Sequence, residues 1–176
     1  MDQFQIHQIN DTDDHYFDGF WRIYDASFPS NEKRTLKQQA LIFTKSEFRV
    51  NAFIIDNQVI GFITYWTAED FIFIEHLAIA PEFRNQGFGN AILNSFIRSY
   101  NKPIVLEIEI PADKTTRQRL HFYESLEFKV NEHIHFQPPY QTGDNPVPMK
   151  ILSHPLVISE KDYQQFALYQ KEIVLS

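Results

Sequence analysis

The amino-acid sequence predicts one α/β or α+β domain, in which helices pack on a mixed β-sheet. The chain has 176 residues, which is enough for one domain over 1–176 and too few for two of ordinary size. Hydrophobic residues make up 43% of the chain, so it can bury a proper core. Segments with strand-like and helix-like spacing alternate along the chain, and no repeat or low-complexity tract interrupts them.

The first part of the chain predicts a strand over 4–9, helices over 15–28 and 31–45, and a hairpin over 48–68. Apolar residues alternate in the strand and recur at helical spacing in the helices. Pro29 ends the first helix, because proline cannot continue one. Asp56 and Asn57 separate the two apolar halves of the hairpin, and both residue types suit turns with unusual dihedral angles.

The rest of the chain predicts strands over 71–80 and 103–111, helices over 87–100 and 115–128, a strand pair over 129–137 and 147–153, and a helix over 159–175. Pro81 ends the first of these strands, and Pro103 follows the first helix. The proline-rich loop PPYQTGDNP separates the last two strands. Ser159 and Asp162 form a capping pattern where the last helix begins.

Composition excludes several classes of protein. The net charge is -7 with a pI near 5.4, whereas phosphate-backbone binding needs a dense basic face, so no nucleic-acid partner is expected. The chain has no cysteine, which excludes disulfides, thiolate nucleophiles and cysteine zinc sites. Its start lacks the features of a secretory signal, and its apolar runs are too short to cross a bilayer. We therefore expect a cytoplasmic protein without a membrane partner.

A glycine-bearing loop follows the strand that ends at Pro81. Arg84, Gly87 and Gly89 lie in the pattern Arg-x-x-Gly-x-Gly, directly before a predicted helix. The free N–H groups of a helix N-terminus bind anions, and glycine lets a phosphate approach the backbone. A dinucleotide motif would need glycine in place of Ile92, and a P-loop would need Lys-Ser/Thr after Gly89. From the loop alone, a turn that needs glycine only for packing is an equally good interpretation.

Two longer stretches carry a family resemblance. FIEHLAIAPEFRNQGFGNAIL, residues 73–93, resembles the coenzyme-A-binding motif of the GNAT superfamily, the GCN5-related N-acetyltransferases. LHFYESLEF, residues 120–128, resembles the FYxxxGF motif of the same family. The two motifs occur in the right order and at about the right spacing, and the resemblance extends over residues 45–137.

The resemblance implies the GNAT fold: a mixed, mostly antiparallel central sheet of about six to seven strands flanked by helices, with a splayed strand pair that binds CoA. It implies an N-acetyltransferase that moves the acetyl group of acetyl-CoA to a primary amine by direct attack. The acceptor would be a small molecule, an amino acid or a peptide. Acetyl-CoA would be the cosubstrate, and no metal is expected.

The resemblance also assigns the residues that would bind the coenzyme: Leu77, Ala78, Ile79, Arg84, Asn85, Gln86, Gly87, Phe88, Gly89 and Asn90. The strand backbone over 77–79 would pair with the pantetheine amides, as in strand addition. Backbone N–H groups over 86–90 would hold the pyrophosphate. A backbone N–H near Ile79 would stabilise the oxyanion of the transition state.

Two side chains are the predicted catalytic residues. Tyr123 stands at the tyrosine position of the second motif, and its phenol would protonate the leaving thiolate. The alternative is a ring that packs in the core beside Phe122. Glu75 lies in an otherwise apolar strand, where a carboxylate is costly unless paired or used, so it is the first candidate for the base. The alternative is a strand-end glutamate that reaches water or bonds to His76.

Other charged residues have two interpretations each. Glu107 and Glu109 alternate on one strand face and could bind a cationic substrate or relay protons, but surface charges are the favoured interpretation. The segment 32–34 could line the acceptor site, although a solvated charge cluster is favoured. Arg119 could reach the nucleotide phosphate, but a solvated helix face is at least as good an interpretation. His133 and His135 share a strand face without a third metal ligand, so a zinc site is not expected.

The chain departs from the family pattern at Glu127, where glycine usually ends the helix, so we expect this turn to be made differently. Asn85 stands where glycine is frequent, and asparagine tolerates positive φ better than most residues. A GNAT-shaped module that binds acyl-CoA without turnover, and a transferase for longer acyl groups, are the alternative functions. The apolar C-terminal helix could pair two subunits, so a homodimer is a possible assembly.

Overall fold

A computed structural model describes residues 4–175 of the chain. Among them are five α-helices and seven β-strands. The chain divides into two compact units, Met1–Asn101 and Lys102–Ser176. The expectation of one domain over 1–176 stays a prediction, and each unit is described by itself.

The first unit contains four strands, three helices and two short 3₁₀ turns. They are β1 (Gln5–Ile9), α1 (Phe17–Ser27), α2 (Leu36–Ile42), β2 (Phe48–Ile55), β3 (Gln58–Thr67), β4 (Ile72–Ile79) and α3 (Phe88–Arg98), with 3₁₀ turns at Ser30–Glu32 and Pro81–Phe83. The strands pair antiparallel in the order β1-β2-β3-β4. Helix α2 is shorter than predicted, because the capping box of Thr35 and Gln38 starts it later in the chain.

The hairpin between β2 and β3 forms as predicted. Asp56 and Asn57 have φ angles of 47° and 64°, so both central residues adopt the left-handed conformation. Two such residues make a turn whose twist matches that of the flanking strands.

Aromatic side chains fill both faces of this sheet. Phe20 of α1 packs edge-on against Phe62 of β3, with ring centroids 4.8 Å apart. Phe96 of α3 packs in the same way against Tyr65 at 4.9 Å. Because Phe62 and Tyr65 are an odd number of residues apart on β3, α1 and α3 cover opposite faces of the sheet.

Strand β4 contains a bulge. Thr64 of β3 pairs with His76, whereas Tyr65 pairs with Ile74, so Glu75 is an extra residue on β4. An extra residue interrupts the strict alternation of side chains between the two faces. Glu75 and His76 are neighbours in sequence, yet their side chains contact one polar cluster, which is described below.

The second unit is built on three strands. Its elements are β5 (Ile104–Glu109), α4 (Lys114–Glu124), β6 (Lys129–Gln137), β7 (Val147–His154), α5 (Glu160–Tyr169) and a π-helical turn, Gln170–Val174. β7 pairs antiparallel with β5 and with β6, so it lies between them. Each strand lies within two residues of its predicted bounds.

Helices α4 and α5 cover opposite faces of this three-stranded sheet. Tyr123 of α4 contacts Phe128, which in turn contacts His154 of β7. Ser153, the next residue on β7, bonds instead to Asn131, and the side chain of Asn131 accepts a hydrogen bond from Ile158 N near the start of α5. Since adjacent strand residues point to opposite faces, the two helices are separated by the sheet.

The turn after α4 is made with Glu127 itself. Its φ angle is 66°, the left-handed conformation that glycine usually adopts at a helix end. Phe128 N donates to Tyr123 O at 3.1 Å and Glu127 N donates to Glu124 O at 3.0 Å, which are the two bonds of a Schellman motif. The expectation of a different turn is therefore wrong, because glutamate adopts the backbone angles of the missing glycine.

No helix among residues 4–175 is long and apolar enough to span a membrane.

Replacing Glu127 by glycine tests this turn. A non-glycine residue in the left-handed conformation costs about 1–2 kcal/mol, part of which glycine returns through the entropy of its unfolded state. We expect Glu127→Gly to raise the free energy of unfolding by about 0.5–1 kcal/mol in urea denaturation. The control Gln118→Gly places glycine at an exposed position inside α4 and should lower the free energy of unfolding by about 1 kcal/mol. A destabilised Glu127→Gly protein would contradict the proposed strain.

Candidate functional site

The N-terminus of α3 is open to a ligand. Gly87 precedes the helix with a φ angle of 84°, and no side chain caps the helix start. The first helical hydrogen bond is donated by Ala91 to Gly87 O, so the N–H groups of Phe88, Gly89 and Asn90 have no partner within the helix. A Cβ atom added at Gly87 would meet nothing within 4 Å, so the position needs glycine for its φ angle.

Side chains hold the loop before α3 in place. Arg84 Nε donates to Ile79 O at 2.9 Å, and Gln86 Nε2 donates to Glu82 O at 2.8 Å. Asn85 has a φ angle of 60°, which agrees with the expectation that asparagine replaces glycine here. Arg84 is exposed, so its guanidinium adds positive charge beside the free amides. The loop offers both N–H donors and a cation to an anion.

The end of β4 lies directly before this loop. Ala78 is buried, whereas Leu77 and Ile79 are half-buried. Ile79 pairs with Gly61 of β3, where an added Cβ would come within 2.8 Å of Ala78 O. Glycine at 61 therefore allows the two strands to approach closely.

The carboxylate of Glu75 is held by two donors. Arg34 Nη1 lies 2.6 Å from Oε1, and Trp66 Nε1 donates to Oε2 at 2.9 Å. The Glu75 side chain is only 1% exposed, so it does not reach water as the alternative interpretation had it. The Arg34 guanidinium also lies 5.8 Å from the ring centroids of Phe48 and Trp66. The role of Glu75 as a base stays a prediction.

The polar cluster around this ion pair anchors the segment before α2. His76 Nε2 donates to Glu32 O at 2.9 Å, so its other ring nitrogen accepts the Thr64 hydroxyl at 3.3 Å. Burial lowers the pKa of His76, so the ring is neutral at physiological pH. Arg34 N donates to the Tyr24 hydroxyl at 2.8 Å, and burial raises the pKa of that phenol.

This anchoring corrects one expectation for the segment 32–34. Arg34 is 5% exposed and ion-paired, so it does not belong to a solvated charge cluster. The ammonium of Lys33 contacts the Asp25 carboxylate at 2.6 Å. The sequence around Arg34 does not indicate that it is buried, because its partners lie far along the chain on β3 and β4.

Tyr123 is a buried residue of α4, 8% exposed. Its ring contacts Phe122 and Phe128, with centroids 5.0 and 5.6 Å away. Burial raises the pKa of its phenol to about 12, against a smaller opposite effect of Arg119. The phenol therefore keeps its proton at physiological pH. The ring packs beside Phe122, as the structural interpretation expected, and its role as an acid stays a prediction.

Glu107 is not a surface charge, contrary to expectation. Its side chain is 8% exposed, and its Oε1 contacts His135 Nε2. Gln170 Nε2 donates to Oε2 at 2.7 Å. Sequence analysis missed this cluster, because His135 and Gln170 lie 28 and 63 residues further along the chain. Glu109 instead forms an exposed ion pair with Arg119, which gives that arginine a partner other than a phosphate.

Residues 4–175 contain no group of three histidine, aspartate or glutamate side chains that could hold a metal ion.

Known proteins that are similar to this chain are GNAT acetyltransferases. A family model described as an acetyltransferase (GNAT) domain matches residues 46–130. A solved structure from Bacteroides thetaiotaomicron, assigned to the GNAT family of acetyltransferases, is 32% identical to this chain. That match covers 97% of this chain and 98% of the other, with a TM-score of 0.90.

Two further relatives are more distant. YjbC of Bacillus subtilis strain 168, named as an acetyltransferase, is 27% identical over 120 residues. The match covers 67% of this chain but only 57% of YjbC, so the chain spans little more than half of that relative. A GNAT family acetyltransferase from Elizabethkingia anophelis, solved with acetyl-CoA bound, has a TM-score of 0.61 at 19% identity, covering 89% of this chain and 100% of that one. This last likeness supports the predicted GNAT fold alone, and the predicted fold class is confirmed.

The buried ion pair gives a prediction for stability. Glu75→Gln removes the counter-ion of Arg34, and breaking a buried pair typically costs about 3–5 kcal/mol. We expect such a loss in the free energy of unfolding, measured by urea denaturation at pH 7. The control Asp25→Asn breaks the more exposed pair with Lys33 and should cost less than about 1 kcal/mol. Equal, small effects of both substitutions would contradict the anchoring role of Glu75.

Proposed function

Because this chain belongs to the GNAT family of acetyltransferases, we propose that it is an N-acetyltransferase that moves the acetyl group of acetyl-CoA to a primary amine. One observation carries the proposal: the uncapped N-terminus of α3 behind Gly87, with free amides beside the exposed Arg84. This is the group of donors that a pyrophosphate needs. The acetyl-CoA bound to the Elizabethkingia anophelis protein supports the choice of cosubstrate.

In this proposal the coenzyme lies along the end of β4. The backbone of Leu77, Ala78 and Ile79 pairs with the pantetheine amides, and the N–H groups over 86–90 bind the pyrophosphate. Arg84 neutralises part of the phosphate charge. The N–H near Ile79 stabilises the oxygen of the acetyl group when it becomes negative. The splayed strand pair of the sequence prediction belongs to this proposal.

The acetyl transfer needs an acid at the sulfur. The amine attacks the thioester carbonyl, the carbon–sulfur bond breaks, and the thiolate must take a proton. Tyr123 is the proposed donor. Burial raises the pKa of its phenol to about 12, so the phenol carries its proton at physiological pH. No hydrogen-bond partner occupies its hydroxyl among the described residues, so the proton is available to a substrate.

The transfer also needs a base, since a primary amine is mostly protonated at physiological pH. Glu75 is the candidate from the sequence. Arg34 and Trp66 contact both of its oxygens, and these permanent donors favour its ionised form. Its capacity to remove a proton from the acceptor ammonium is what the Glu75→Gln protein would test. The proposed acceptor is a small-molecule amine or a peptide, and a cytoplasmic homodimer remains part of the proposal.

Gly87→Val tests the coenzyme site. Valine at a φ angle of 84° is strained, and such strain costs about 1–3 kcal/mol, which corresponds to a loss of about 5- to 150-fold in affinity. We expect the Kd of acetyl-CoA, measured by calorimetric titration, to rise by this factor because the free amides move.

The matched control is Gly143→Val. Gly143 has a φ angle of 96° and also has nothing within 4 Å of an added Cβ, but it lies in the loop between β6 and β7. This variant should bear similar strain and keep the affinity for acetyl-CoA. Unchanged affinity in Gly87→Val, or an equal loss in both proteins, would contradict the pyrophosphate assignment.

Tyr123→Phe tests the acid. Removing a positioned proton donor typically lowers the rate by about 10²–10⁴-fold, so we expect kcat to fall in this range. The KM for acetyl-CoA and the free energy of unfolding should stay unchanged, because the hydroxyl has no partner to lose. Tyr16→Phe, which removes the hydroxyl that donates to Asn57, is the control and should keep full activity. Wild-type kcat in Tyr123→Phe would remove the assigned role.

A further inference from the structure

The loop that precedes α3 lies at the surface over its whole length. Residues 84–87 are all exposed, so the loop places none of its side chains in a core. Asn85 and Gly87 have left-handed backbone conformations, with φ angles of 60° and 84°. A residue other than glycine keeps this conformation only where the surrounding structure determines it. Contacts at the two ends of the loop must therefore fix its shape.

The segment before the loop is the 3₁₀ turn Pro81–Phe83, and it is attached to β3. Directly before this turn, Ala80 N donates to Ile60 O at 2.9 Å. Within the turn, the carboxylate of Glu82 accepts a hydrogen bond from Gln58 Nε2 at 3.2 Å. Gln58 and Ile60 both belong to β3, so the 3₁₀ turn has a fixed position relative to that strand.

The segment after the loop contacts the same 3₁₀ turn. Phe88 is the first residue of α3, and its ring centroid lies 5.9 Å from that of Phe83 with an angle of 73° between the ring planes. This is one of the arrangements that aromatic pairs prefer. Both rings are half-buried, whereas every residue between them is exposed. The ring contact therefore joins the two ends of the loop.

The hydrogen bonds of Arg84 and Gln86 hold the loop as well, but they differ from the ring contact in their exposure to water. Both side chains are exposed, so water competes for their donors and for the carbonyl groups that they contact. Water does not compete for a contact between two apolar rings, which is stabilised by the removal of ring surface from water. The ring contact thus adds a constraint that solvent does not weaken.

We propose that the contact between Phe83 and Phe88 holds this loop in its binding conformation before the coenzyme binds, so that Phe83 is a positioning residue of the pyrophosphate site. This inference rests on the proposed function. A loop that is already ordered loses little further conformational entropy when a diphosphate binds to it. Phe83 therefore increases the affinity for acetyl-CoA through Phe88, without a contact of its own with the ligand.

Phe83→Ala tests the order of the loop in the protein without coenzyme. Backbone ¹⁵N relaxation should give order parameters of about 0.85 for residues 84–87 in the wild-type protein, and below about 0.6 in Phe83→Ala. Phe83→Tyr keeps the ring and should keep the wild-type values. A loop that is equally ordered in Phe83→Ala, or one that is already flexible in the wild-type protein, would overturn the inference.

The same variants test the consequence for binding. We expect the Kd of acetyl-CoA, measured by calorimetric titration, to rise about 2- to 10-fold in Phe83→Ala, as the energy of an aromatic pair implies. It should stay at the wild-type value in Phe83→Tyr.

The matched control for the binding experiment is Phe43→Ala. Phe43 is also half-buried and contacts Phe48 at 5.8 Å with an angle of 69°, but it lies directly after α2. This variant loses a similar ring contact and should keep the wild-type Kd. An unchanged Kd in Phe83→Ala, or an equal rise in Phe43→Ala, would count against a positioning role for Phe83.

A double-mutant cycle separates positioning from a direct contact between Phe83 and the ligand. Because Phe83 acts through Phe88, adding Phe83→Ala to Phe88→Ala should raise the Kd of acetyl-CoA no further. Two independent, additive effects would show that Phe83 acts by another route and would overturn the inference. Failure of acetyl-CoA to bind the wild-type protein would instead overturn the proposed function, and the assignment of this loop to a coenzyme with it.

Discussion

The geometry of one residue, Gly87, determines what the first unit can offer to a ligand. In a helix that starts with a capping side chain, that side chain accepts a hydrogen bond from one of the first N–H groups. Here the chain enters α3 through a left-handed glycine without a cap, and the neighbouring side chains of Arg84 and Gln86 bond to carbonyl groups of the preceding segment. The first amides of the helix therefore remain available to a ligand. The loop that presents them is fixed by the hydrogen bonds of Arg84 and Gln86.

Two glutamates in the part of the chain that the structure describes, Glu75 and Glu107, have buried carboxylates with different partners. Glu75 is paired with Arg34 and accepts from Trp66, so it holds the segment before α2 against β3 and β4. Glu107 contacts His135 and accepts from Gln170, so it connects β5 with β6 and with the C-terminal turn. The partners of each carboxylate, and not its burial, therefore determine which parts of the chain it holds together.

Local patterns in the sequence predict most of the fold and part of the site. The hairpin at Asp56 and Asn57, the glycine loop and the position of Tyr123 follow from residues close together in the chain. The bulge at Glu75 leaves no such pattern, because it depends on how β4 pairs with β3. The surroundings of Glu107 were equally hidden, since a strand residue, a second strand and a C-terminal turn meet only after folding.

The anchor at Arg34 divides the loop between α1 and α2 into a buried part and an exposed part. Its guanidinium is buried, whereas Ser30 and Asn31, a few residues earlier, are exposed. Changes at the exposed tip leave the buried attachment intact, so the two parts can vary independently. Substitutions at Ser30 and Asn31 can therefore change the surface of this loop while the contacts of Arg34 maintain its stability.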